Sequence, residues 1–136
     1  PWALLLSLRG SGESSELPAA IEAGRKAIAR NPESPLYYEA LADLLASVRP
    51  ATSEMLQQAI DKYREAAKRY PNSVRIRTSL ALVLADQGET PAAVEQANMA
   101  LELDNLNRAA GHLDKVLPDD RRARIEQIAA STSIRP

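Results

Sequence analysis

The chain has 136 residues, 45% of them hydrophobic and 26% charged, with a formal net charge of −1, enough for one domain with a continuous core. It contains no cysteine, which excludes disulfide frameworks, thiolate zinc sites and cysteine nucleophiles, and its balanced charge argues against a duplex-binding protein, which carries a basic excess. Four Tyr, one Trp and no Phe leave Ala, Leu and Ile to supply the apolar surface, a mixture that favours helices over strands.

Residues 1–16 read as an apolar segment and linker. Trp2 to Leu8 is apolar but far short of the roughly 20 residues that cross a bilayer, so no membrane span is expected in this chain. The segment is either a degenerate first helix near 2–9 or the remnant of a membrane junction. An opening Pro1 in place of Met fits a piece of a longer protein. Helices are then expected over 17–31, 34–48, 53–70, 73–86, 90–104, 107–117 and 119–130, with a tail at 132–136.

Punctuation supports these limits. Ser34-Pro35 and Thr90-Pro91 place a capping residue before a proline at the first helical position. Pro32 and Pro71 stop the helices before them. Gly88 stands where a helix end favours a residue with positive φ. In the helix over 53–70, Met55, Leu56, Ala59, Ile60, Tyr63, Ala66, Ala67 and Tyr70 keep the spacing of one buried stripe.

The elements repeat. Pro18-Ala19-Ala20-Ile21-Glu22 aligns with Pro91-Ala92-Ala93-Val94-Glu95 at an offset of 73 residues, and Asn31-Pro32 falls over Asp104-Asn105. A third copy lies between them, with Ala59-Ile60, Ala66-Ala67 and Tyr70-Pro71. The spacing is 39 residues and then 34. The five extra residues fall in the turn from Ser47 to Ser53, where loop closure absorbs additions at little entropic cost. Leu41-Ala42 and Leu45 answer to Leu80-Ala81 and Leu84 in the companion helices. Small residues at Ala20, Ala42, Ala59, Ala81 and Ala93 let helices approach closely, and the larger residues fill the space around them.

With a 34-residue period and these residues in register, the chain resembles the tetratricopeptide repeat family. The resemblance covers roughly residues 17–107, in repeats 17–33, 34–73 and 74–107. Two departures stand out: the first repeat matches only in its second helix, and Asn105 replaces the usual proline in the third. The resemblance implies an all-α, α-α superhelix: a solenoid of about three helical hairpins with a C-terminal pair of capping helices over 108–131. One cap helix would present Ala109, Ala110, Leu113, Val116 and Leu117 to the stack. The other would present Ile125, Ile128 and Ala129, with Arg121, Arg122, Arg124 and Glu126 on its polar outer side.

No chemistry emerges from the remaining residues. His112 is the one histidine, without the converging ligands of a metal site or the partners of a triad. Carboxylates alternate with Lys and Arg as on a solvated face, and no Gly-rich phosphate loop is present. Arg121, Arg122 and Arg124 follow Asp119 and Asp120 without interleaved aromatics, which speaks against nucleic acid as a partner. A non-enzymatic protein is expected, with no catalytic or metal site and no cofactor.

The resemblance implies a concave groove lined by the first helices of successive hairpins. It assigns Leu36, Glu39, Asp43 and Ser47 in one repeat and Arg75, Thr78, Leu82 and Asp86 in the next, with His112 beyond. In the family's best-known variant this face clamps a C-terminal carboxylate with Lys, Asn and Arg. Here the equivalent positions carry Glu39, Asp43, Thr78 and Leu82, so that clamp is not expected. The groove is mildly acidic, and the expected partner is a peptide segment with apolar and basic residues. Two other functions are compatible with the sequence: a soluble appendage of a larger membrane-associated protein of envelope or polysaccharide assembly, and a structural spacer or dimerisation module. The setting is either cytoplasmic or that of a membrane-attached soluble domain.

Overall fold

A computed structural model describes residues 16–131. The helix expected near 2–9 and the tail at 132–136 lie outside the described residues. The described chain forms α1 (Leu17–Arg30), α2 (Pro35–Ala46), α3 (Ser53–Arg69), α4 (Val74–Asp86), α5 (Thr90–Ala109) and α6 (Asp119–Ala130), with a 3-10 turn at Leu113–Lys115. Among the described residues there is no strand.

The helix ends follow the local chemistry of the sequence. Both α1 and α3 stop just before Pro32 and Pro71. The Thr52 and Ser73 side chains accept the amides of Met55 and Ile76, each at 3.2 Å, capping α3 and α4. Pro35 opens α2 after Ser34 as expected, although the Ser34 side chain makes no capping bond. At α5 the cap residue is Glu89, so Thr90 and Pro91 are already helical. Gly88 ends α4 with φ +84°. Its amide donates to the Ala85 carbonyl and that of Glu89 to the Leu84 carbonyl, closing the double bond pattern of a left-handed helix stop.

The expected helix over 107–117 does not form. Where proline ends α1 and α3, residue 105 is asparagine, which keeps its amide, so α5 continues to Ala109. It stops instead at Gly111, φ +76°, where the Gly111 amide donates a hydrogen bond to the Arg108 carbonyl and the His112 amide to the Asn107 carbonyl. The expected pair of capping helices is therefore one helix, α6, preceded by the 3-10 turn. Of the apolar face expected at 109–117, only Leu117 is buried; Ala109, Ala110 and Leu113 are exposed.

The chain divides into two compact units, one through Pro71 and one from Asn72. In the first, α2 and α3 form a hairpin and α1 packs on α2. Its buried side chains include Ala20 and Ile21 of α1, Leu41, Ala42 and Leu45 of α2, and Ala59, Ile60 and Tyr63 of α3. Tyr70, expected at the end of the α3 stripe, lies past the helix end and is exposed. Arg69 ties this unit together. Its Nε donates to the Pro32 carbonyl at 2.7 Å and its Nη1 to Glu65 Oε1 at 2.7 Å, and its guanidinium lies 4.2 Å from the Tyr38 ring centroid. The hydrogen bond from Arg69 holds the Glu65 carboxyl below its ordinary range.

In the second unit α4 and α5 form a hairpin, and α6 packs on both. Leu80, Ala81 and Leu84 of α4, Ala93, Ala97 and Ala100 of α5, and Ile125 and Ile128 of α6 are buried. Ala93 occupies a close helix approach, so Ala93→Leu inserts atoms where there is no space. It is expected to lower stability by about 1–3 kcal/mol, read as a lower melting temperature by circular dichroism; an unchanged melt would refute the close approach.

Candidate binding surfaces

Spacings of three and four residues place Leu36, Glu39, Asp43 and Ser47 in one row along α2, and Arg75, Thr78, Leu82 and Asp86 in one row along α4. Their exposures differ. On α2, Leu36 is 48% exposed and Ser47 is exposed, whereas Glu39 is buried. Asp43 is half-buried and accepts a hydrogen bond from the Tyr63 hydroxyl, which joins α2 to α3. On α4, Arg75 and Asp86 are exposed, Leu82 is half-buried, and Thr78 is fully buried with its hydroxyl unbonded. His112 is exposed in the connection after α5, not on a helix.

The most connected ionic site lies elsewhere. Asp104 of α5 is fully buried. Its Oδ1 accepts the Leu117 amide at 2.7 Å; its Oδ2 accepts Arg108 Nε at 2.9 Å and Arg122 Nη1 at 2.5 Å. Arg108 also donates to the Leu117 carbonyl, and Arg122 to Asn105 and Glu126. Burial pushes the Asp104 carboxyl up, but the Leu117 amide and the two guanidiniums outweigh it and hold the group below the ordinary carboxylate range. The hydrogen bond to Asp104 in turn raises Arg122. One carboxylate thus joins α5, the Leu117 segment and α6. Both oxygens of that carboxylate accept hydrogen bonds, three in all, so the arrangement ties these segments together.

Sequence reading placed Arg122 on the outer face of the last helix, and the structure turns it inward to Asp104. The Asp104–Arg108 spacing of four residues was a readable signal; the Arg122 contact, 18 residues away, was not. Arg121 is also half-buried and reaches the Ser79 hydroxyl at 3.4 Å, whereas Arg124 and Glu126 are exposed as expected. Among the described residues no three His, Asp or Glu side chains gather as a metal site would need. No described helix is long and apolar enough to cross a membrane.

A family model described as tetratricopeptide repeat matches residues 54–108. Comparison with curated proteins gives no match. Among solved structures the chain is similar to the TPR2B domain of yeast Sti1, determined in a complex with pHsp70. The TM-score is 0.61 and the identity 23%, over 92% of this chain and 98% of that one. At this identity the likeness speaks for the fold. The repeat is typically a non-catalytic protein–protein interaction module. Residues 54–108 thus carry tetratricopeptide repeat sequence, and the chain shares the fold of a tetratricopeptide repeat domain over most of its length.

Proposed function

We propose that the protein is an interaction scaffold and that the first-helix face of each hairpin, taken by itself, is a surface for a peptide segment. On α2 the contacts are Leu36, Asp43 and Ser47; on α4 they are Arg75, Leu82 and Asp86. The buried Glu39 and Thr78 shape the helix surface from below and do not face a ligand. His112 stands beside the α5 end as a peripheral contact. The observation that carries the reading is Leu36, an exposed leucine on the row that the resemblance assigns to a ligand face. Two turns further along the row, the half-buried Asp43 adds an acidic group. An apolar residue beside a carboxylate favours a partner segment that is both apolar and basic.

Selection of random peptides displayed on phage against the purified protein tests this. Enriched sequences are expected to combine apolar residues with Lys or Arg. Leu36→Ser and Asp86→Lys are each expected to weaken the selected peptides by about tenfold, the loss of one interface anchor or one favourable charge. Enrichment of acidic peptides, or affinities unchanged in both variants, would reject the proposal.

A further inference from the structure

The largest exposed apolar side chains of the second unit lie on its second helix, away from the α4 row. Met99 is 39% exposed and Leu106 59% exposed, with Leu103 half-buried beside them and Leu113 72% exposed just past the helix end. Glu95 and Glu102 alternate with Met99 and Leu106 along the same row of α5, at steps of four, three and four residues, and both are exposed. Asp114 adds a third exposed carboxylate next to Leu113. Of the cations nearby, Arg108 is engaged by Asp104 and the Leu117 carbonyl, leaving Lys115 as the exposed basic residue of that end.

We infer that this row of α5 is a second docking surface, and that its partner is an amphipathic helix carrying apolar residues flanked by Lys or Arg. The alternation carries the inference. A solvated helix face has no need of Met and Leu at the centre of its exposed arc, and an apolar face closed by this protein's own chain has no need of glutamates within it. Apolar residues give area to bury, and the glutamates select the charge of what buries it. The same charges disfavour the other occupants. A second copy of this face would bring Glu95 and Glu102 against their counterparts, and an anionic lipid surface would meet carboxylates. The surface is separate from the first-helix faces of the proposed function, and either can fail without the other.

The chain's two methionines, Met55 on α3 and Met99 on α5, fall one in each unit, so isotope-labelled methionine methyls report on the two separately. The protein is titrated with a synthetic leucine–lysine amphipathic helix of about 15 residues, long enough to be helical alone, and with a leucine–glutamate helix of the same pattern. The Met99 methyl is expected to shift saturably with the lysine helix and to stay in place with the glutamate one, while Met55 stays in place in both. Glu95→Gln with Glu102→Gln, and separately Leu106→Ser, are each expected to weaken binding by about tenfold, with melting curves retained. Leu36→Ser is expected to leave this binding unchanged. Equal binding of both helices, a shift at Met55 alone, or affinity unaffected by the α5 variants would overturn the inference. So would concentration-dependent dimerisation of the unliganded protein that Leu106→Ser abolishes, because the face would then serve self-association.

Discussion

Replacing Asp104 by alanine is expected to lower stability by about 3 kcal/mol, the lower end of the range for breaking a buried ion pair from one side. The loss has three parts. Two guanidiniums lose a shared acceptor, the buried Leu117 amide loses its acceptor, and α6 loses its ionic link to α5. The lower end applies because the Arg108 and Arg122 side chains are 40% and 25% exposed, so water takes over part of the lost solvation. Urea unfolding followed by circular dichroism measures the loss. Amide exchange should place it in residues 104–130, and a change below about 0.5 kcal/mol, the range of ordinary surface substitutions, would show that the carboxylate is not what holds α6. Acid has a related effect. Because the folded state keeps Asp104 ionised below its ordinary range, its contribution is fully present above about pH 4 and disappears as pH falls through the folded value. The stability difference between the wild type and Asp104→Ala should therefore shrink in strong acid and be constant near neutrality.

Leu41→Ala is expected to cost about 2–5 kcal/mol. Leu41 is fully buried in α2, which packs against both α1 and α3. Truncation leaves a cavity in a helix packed against others on two sides, which relaxation of the buried core fills only in part. Arg69 closes the first unit near its surface through Pro32, Glu65 and Tyr38, and contacts of that kind are individually weak where water reaches them. Apolar packing therefore carries more of the stability here, and amide exchange in Leu41→Ala should accelerate through residues 17–69. Exchange rates unchanged in that range would contradict this account.

The parts of the fold readable in the sequence were those set by one residue and its immediate neighbours. Gly88 announced a helix end because few other residues accept φ +84° without strain. Ala20, Ala59 and Ala93 announced helix crossings because a larger side chain at a repeated position would keep the backbones apart. The length of α5 was misread for the complementary reason. An expected helix limit at 104 rested on the repeat pattern, yet without proline at 105 nothing local ends the helix before Gly111. The surfaces were less legible. Repeat position alone placed Glu39 and Thr78 with Leu36 and Arg75, but whether a side chain at such a position faces solvent depends on packing across the chain. The Asp104 cluster joins residues from 104 to 122, a separation at which periodicity carries no signal.

The connection between α2 and α3 has a practical use. Its five additional residues, with Arg49, Pro50, Ala51 and Thr52 all exposed, leave the hairpin intact while presenting backbone to solvent, and its closure cost rises only slowly with length. The natural chain has already accepted one insertion at this point. A fluorescent label, an epitope or a small folded module grafted between Arg49 and Thr52 would thus extend a tolerated interruption, giving a handle for immobilisation or imaging that stays clear of α2, α4 and α5 in sequence.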